Sequence, residues 1–250
     1  MSASKLPNFS MLIRMPTGLL ATSWGSSVRL LTKDEWPRTS VPASSSNLAP
    51  VAAAINSSRL KRGVDIALAF VVLVALLPAL GLIALAIALD SPGSPLFWQE
   101  RYGRDKKVFW VCKFRTMSVA ESRGSFTQAR VGDQRMTRIG RLLRRTSIDE
   151  LPQLLNVLKG DMSLVGPRPH TKPMDDFNAT LVHNYSDRHL VRPGMTGLAQ
   201  VNGNRGPTPT RAQIFVRLAD DREYIRSWSL WLDLKILART PFALIHENAL

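Results

Sequence analysis

Hydrophobic positions are unevenly spread along this chain, and one block dominates. From Ile66 to Leu89 no residue carries a charge, a run of 24 positions. As a helix the run would extend roughly 36 Å, more than the ~30 Å hydrocarbon layer of a bilayer. It therefore predicts a membrane helix, and a buried globular helix of such length and apolarity is the weaker reading. Pro78 sits near its middle, where it removes a backbone N–H and crowds the preceding turn. Arg59, Lys61 and Arg62 precede the run; Arg101, Arg104, Lys106 and Lys107 follow it. Cationic flanks resist translocation, so both ends are expected on one side. The pattern predicts a re-entrant helix-break-helix, with a Pro-kinked span as the alternative.

Asp90-Ser91-Pro92-Gly93-Ser94-Pro95 stops the helix with turn-forming residues. Two β-type runs follow, Leu96–Gln99 and Lys107–Val111, with Gly103-Arg104-Asp105 between them. They predict a small antiparallel β-hairpin. Further on, Asp220 to Thr240 reads as an amphipathic helix whose Tyr224, Trp228 and Trp231 suit a headgroup zone, or else a water-side core. The first sixty residues lack durable periodicity and are rich in Ser, Pro and Ala. Such a stretch buries too little to offset its ordering entropy. The expected organisation is a flexible tail over 1–58, a re-entrant membrane helix over 59–95 and a catalytic module over 96–250. The fold class is α+β, mostly helical, with amphipathic interfacial helices around the site.

Charge narrows the partners. Thirty-three Lys and Arg against nineteen Asp and Glu give a net +14, which calls for an anionic partner. Nucleic acid is set aside: no helix-turn-helix, zinc or RNA-binding signature is present, and a soluble binder has no use for the apolar run. A single cysteine, Cys112, excludes an intramolecular disulfide framework.

The densest constellation lies between Arg135 and Pro169. Arg138, Arg141 and Arg145 share a helical face, with Arg144 beside them. They lead directly into Asp149 and Glu150. Ser147 and Glu150 have capping-box spacing, so helix capping is one reading of the pair. The other is chemical. Adjacent carboxylates on a helix point about 100° apart, so one can attack phosphorus while the other holds a divalent cation. Nearby arginines would neutralise a diphosphate. In Gly166-Pro167-Arg168-Pro169, two prolines stiffen the backbone around one guanidinium, which suits a phosphate grip or simply a rigid loop. Lys113-Phe114-Arg115-Thr116-Met117 alternates cations with an aromatic beside the hairpin.

Taken in order, these segments resemble the bacterial sugar transferases, the monotopic phosphoglycosyl transferases. The resemblance rests on Lys61-Arg62-Gly63-Val64-Asp65, Lys113–Met117, Ser147–Leu154, Lys159–Pro169, Arg192-Pro193-Gly194-Met195-Thr196-Gly197 and Trp228–Lys235. It spans about Arg59 to Pro241. It implies transfer of a sugar-1-phosphate from a UDP-sugar to undecaprenyl phosphate, releasing UMP with Mg²⁺ at the cytoplasmic face of the bacterial inner membrane. Asp149 would be the nucleophile, forming a covalent phosphosugar intermediate, and Glu150 would bind Mg²⁺. Lys113 and Asp233 match further essential positions. Arg115, Arg144, Arg145 and Arg168, the last between Pro167 and Pro169, would serve phosphate. Inner-membrane lipid is an implied partner, and a homodimer is allowed. The chain departs from relatives at Leu77, where a small polar residue often precedes the membrane proline. It is similar to short members built from the catalytic module alone. Asn202-Gly203-Asn204-Arg205-Gly206 and Trp228-Ser229-Leu230-Trp231 resemble initiators of exopolysaccharide synthesis that use glucose or galactose. A noncatalytic membrane scaffold is the alternative, and it would not require the acid pair.

Overall fold

The computed structural model describes residues 12–14, 20–24, 27–30, 47–118, 133–204, 206 and 210–245. They fall into two units, 1–42 and 43–250. In the first, β1 (Leu12–Arg14), β2 (Leu20–Trp24) and β3 (Ser27–Leu30) form an antiparallel sheet in that order. Most of the expected tail lies outside the described residues. Where described, it includes these strands and a helix, α1 (Ala49–Ser57). Leu48, Ala52 and Ile55 are buried in the main core, so the packed module begins before residue 59. Leu48, Ala52 and Ile55, four and three residues apart, give α1 an apolar stripe that the sequence reading overlooked.

Helix α2 runs uninterrupted from Arg59 to Asp90 and carries Pro78 inside. At 32 residues it is long and apolar enough to cross a membrane. The Ser58 hydroxyl accepts from Lys61 N and starts it. Along its length Phe70, Val71, Leu77, Leu82, Leu85 and Leu89 are all exposed. Such a continuous apolar surface marks a site for membrane or partner contact rather than water. The expected break at Pro78 does not interrupt the helix.

Both ends of α2 are tied to the same unit. Near its start, Asp65 accepts from Ser163 Oγ at 2.8 Å and Lys61 donates to Asp233 at 2.8 Å. Near its end, Arg115 donates to the carbonyls of Ile87, Ser91 and Pro92 at 3.3, 2.6 and 2.7 Å. Leu80 and Ile87 pack against Phe114 and Leu143.

The hairpin forms as expected: β4 (Leu96–Tyr102) pairs antiparallel with β5 (Val108–Phe114), with Phe97 opposite Lys113. Helix α3 (Arg138–Thr146) follows, capped by Thr137, and then α4 (Leu154–Lys159). Strand β6 (Ser163–Val165) lies parallel to β7 (Gly194–Thr196), with α5 (Lys172–Leu181) between them in sequence. The approach of these strands is so close that a Cβ on Gly194 would lie 2.1 Å from Gly166 N. Helices α6 (Leu198–Val201), α7 (Arg211–Ser227) and α8 (Leu230–Ile245) complete the unit. The segment read as one amphipathic helix is thus divided between α7 and α8. Tyr224 is in the core, bonding Val165 O and Asp233 at 3.0 and 2.9 Å. Trp228 packs partly buried against that core. Of the three aromatics read as suiting either headgroups or a water-side core, only Trp231 is well exposed.

Candidate active site

Three segments converge on Glu150. After α3, Ser147 adopts φ 58° and turns the chain into a 3-10 stretch, Ile148–Gln153, which carries both carboxylates. β5 lies against this stretch. Asn156 joins the two: its Oδ1 accepts from Cys112 N at 3.0 Å and its Nδ2 donates to Trp110 O at 2.7 Å. The side-chain amide thereby pairs with β5 as a neighbouring strand would, and sets the position of the next residue, Lys113.

The third segment is the loop leaving β6. Its carbonyls are held one by one: Pro167 O accepts from Gly194 N at 2.9 Å, Arg168 O from Arg188 Nη2 at 2.6 Å, and Pro169 O from Arg101 Nη1 at 3.0 Å. Backbone fixation leaves the Arg168 guanidinium free to face the 3-10 stretch.

There Lys113 Nζ donates to Glu150 Oε1 at 2.7 Å. Arg168 grips both carboxylate oxygens, Nη1 to Oε2 at 2.6 Å and Nη2 to Oε1. Glu150 is therefore bound to two cations and is not folded back as a capping-box partner. Burial opposes its ionisation, but the charges of Arg168 and Lys113 prevail and hold it well below the usual carboxylate range.

Asp149 behaves oppositely. It is 8% exposed, and no hydrogen bond or ion pair to a described residue engages its carboxylate. Burial first, then the charge of Glu150, lifts it to about 6, against the opposing pull of Lys113, Arg144 and Arg168. Two neighbouring acids thus differ in role before any substrate arrives: one is a clamped anion, the other an unengaged group titrating near neutrality.

Cations outnumber acids here. Arg144 reaches the site from α3, its Nε on Thr116 Oγ1 at 2.9 Å. Arg101, missing from the sequence-based site, is lowered to about 10 by burial and then by Arg168. With Lys113 and Arg168 these make four cations around two carboxylates. A partly buried positive surplus is a binding site for an anion.

The donor set also fits Mg²⁺. A carboxylate offers roughly four acceptor positions, and Lys113 and Arg168 occupy three on Glu150, leaving one on Oε2. With the unengaged Asp149, that chemistry suits an ion held by one or two carboxylates together with substrate phosphate and water. Among the described residues no group of three or more His, Cys, Asp or Glu forms a self-sufficient cage.

Other expected residues lie elsewhere. Arg115 is not in the cluster: it is 5% exposed and clamps the C-terminal carbonyls of α2, where cations are favoured by the helix dipole. Arg145 is exposed on α3. Asp233 accepts from Lys61, Tyr224 and Trp228 at 2.8, 2.9 and 3.2 Å, in a buried network at the start of α2. Arg205, in the segment that resembles glucose- or galactose-using initiators, lies outside the described residues. Arg101, Arg188 and Asn156 escaped the sequence reading because a strand cation, a helix arginine and an asparagine carry no signature until their long-range partners are known.

The chain matches the bacterial sugar transferase family over residues 56–247. It belongs to that family and is a phosphoglycosyl transferase. It is 51% identical, over 190 residues, to a UDP-glucose:undecaprenyl-phosphate glucose-1-phosphate transferase of Caulobacter vibrioides, covering 76% of this chain and 71% of that protein. It is 50% identical to a protein of the same name from Escherichia coli, covering 73% of this chain but only 39% of the relative. An exopolysaccharide production protein of Rhizobium leguminosarum is 47% identical, with 72% and 92% covered.

Proposed function

We propose that this protein transfers glucose-1-phosphate from UDP-glucose to undecaprenyl phosphate, with a covalent phosphosugar on Asp149 as intermediate. The observation that carries this reading is the unengaged, raised Asp149 beside a clamped Glu150 inside a ring of four cations. Ionised Asp149 attacks the phosphorus attached to the sugar. A carboxylate–phosphorus bond forms, the diphosphate P–O bond breaks, and UMP leaves as the dianion with no proton required. The lipid phosphate oxygen then attacks the same phosphorus, giving the lipid diphosphate sugar and restoring the carboxylate.

Arg168, Lys113, Arg101 and Arg144 bind and orient the two phosphates and stabilise charge on the transferring group. Mg²⁺ held by Glu150 would, when bound, neutralise further diphosphate charge. The three-carbonyl tether keeps Arg168 in place without cost at the moment of reaction. Glucose is the donor named for two similar proteins, and galactose is the alternative donor.

The membrane reading follows from α2. Attachment of both its ends to one unit supports a re-entrant rather than spanning placement of α2, with the site at the headgroups on the cytoplasmic face of the inner membrane. There a soluble nucleotide sugar and a lipid phosphate can meet.

The test is UMP release by purified protein in detergent with Mg²⁺ and undecaprenyl phosphate across a panel of UDP-sugars. Lipid-dependent release from UDP-glucose, absent in Asp149→Asn, supports the assignment. Release from a different sugar alone corrects the donor. No release from any donor by folded protein rejects the reaction and favours the scaffold role.

A further inference from the structure

Helix α3 has three sides, and two of them are engaged within the fold. Ile139 and Leu143 pack against Leu80 and Ile87 on the second half of α2. Gly140 lies so close to the chain leaving β5 that a Cβ on it would stand 2.1 Å from Thr116 O. Arg144 Nε donates to Thr116 Oγ1 at 2.9 Å, toward the acid pair. The third side meets neither. Arg138, Arg141 and Arg145 are exposed there, and a turn of 100° per residue brings them within an arc of about 60°. Leu142, on the same side, is 61% exposed.

Among the described residues, no acceptor meets any of these three guanidiniums. Two acids near the start of α3 are used otherwise: Asp90 Oδ2 accepts from Ile139 N at 3.4 Å, and Asp133 pairs with Arg135 at 2.7 Å. Like charges three and four residues apart on a helix repel one another, so the face gains from an anionic partner. The neighbouring surface says which kind. Leu77, Leu82, Leu85 and Leu89 are exposed on the same half of α2 that carries Leu80 and Ile87. Nucleic acid would suit the arginines and leave those leucines in water. A lipid surface satisfies both, with Leu142 at the acyl boundary and the guanidiniums among phosphates.

We infer that the face of α3 formed by Arg138, Arg141, Leu142 and Arg145 docks on anionic phospholipid headgroups beside the membrane-inserted part of α2. The inference rests on the reading of α2 as a membrane helix and on no step of the transfer reaction. It gives a role to arginines that the sequence placed with the phosphate ligands and the fold turns outward.

Electron spin resonance of the full chain in phosphatidylcholine proteoliposomes tests it, with spin-labelled phosphatidylglycerol or phosphatidylcholine as the probe. Lipid held at the protein surface gives a motionally restricted component. Wild type should prefer phosphatidylglycerol severalfold, since one basic residue near an anionic surface counts for about fivefold. Added salt should shrink that preference. Arg138→Gln, Arg141→Gln and Arg145→Gln together should bring phosphatidylglycerol down to the level of phosphatidylcholine, whose own component should not change. Arg141→Gln alone should do so in part. Lysine at the same three positions should keep most of the preference, because it keeps the charge. Thermal melts should not move, as these side chains have no partner to lose. Equal components for the two lipids in wild type, or a preference that the triple glutamine variant retains, would overturn the inference while leaving α2 in the membrane. No restricted component for either lipid would overturn the membrane reading itself, and the inference with it.

Discussion

Arg188 donates to the main-chain carbonyl of Arg168 at 2.6 Å, so one buried arginine fixes the backbone of another whose guanidinium holds Glu150. Arg188 is 3% exposed and is itself embedded. It pairs with Asp221 at 3.0 Å, lies 3.9 Å from Asp175 and donates to Tyr185 Oη at 2.6 Å. The position of the Arg168 fork depends in this way on a buried polar core. Arg101 repeats the device one residue further along, on Pro169 O.

Removing Arg188 tests the dependence. Arg188→Ala leaves buried Asp221 without its ion partner and should destabilise the protein by about 3–5 kcal/mol, as breaking a buried pair does. Arg188→Lys keeps a charge while losing the fork whose Nη2 meets Asp221 and Arg168 O and whose Nη1 meets Tyr185. Urea unfolding should place it between wild type and the alanine variant, with kcat reduced more than KM is raised.

Arg168→Lys separates charge from geometry. Lysine retains the positive charge but cannot grip both Glu150 oxygens, nor present a second planar donor to phosphate. Loss of one such donor should lower kcat on the order of a hundredfold. A thermal melt should move little, because the tethering carbonyl of residue 168 is unchanged.

Asp149 gives a pH prediction with two opposite signs. Attack requires the ionised form, so UMP release should fall about tenfold per unit below about 6 and level off above it. For stability, the folded value lies above the ordinary 3.8, so ionisation penalises the folded state. The penalty is complete above about 6 and vanishes as pH falls toward 3.8. Asp149→Asn should therefore be more stable than wild type at pH 7.5, on the order of 2 kcal/mol. Denaturant midpoints should converge as the solution is acidified.

Arg115→Ala discriminates a phosphate ligand from a helix clamp. Its three carbonyl contacts at the end of α2 predict lost stability of roughly 2–3 kcal/mol, from charge-assisted bonds left unmade. KM for the UDP-sugar should stay within about twofold of wild type if its only contacts are those carbonyls. Steady-state kinetics together with a melt reads both.

Much of this arrangement was legible in the residues. The uncharged run gave α2, two β-type runs around Gly103-Arg104-Asp105 gave the hairpin, and Asp149, Glu150, Lys113 and Arg168 do gather at one place. Arg115 was grouped with the phosphate ligands because a cation in a motif looks the same whether it meets phosphate or helix carbonyls. Only the return of β5 to the end of α2 decides between them. Tyr224 looked interfacial by residue type, yet its hydroxyl has two internal acceptors, Val165 O and Asp233, that no local pattern exposes. Asn156 was invisible for a related reason: its partners are 44 and 46 residues away, and an asparagine mimicking a strand has no periodicity.

The central claim is that Asp149 forms the bond to phosphorus. Its most direct test mixes the protein with Mg²⁺ and UDP-[¹⁴C]glucose, without lipid acceptor, and quenches in acid. Release of about one UMP per active site, with label retained on a peptide containing Asp149 and discharged by later addition of undecaprenyl phosphate, is the predicted result. UMP release that strictly requires the acceptor, with no label on the protein, would mean direct transfer and would contradict the account.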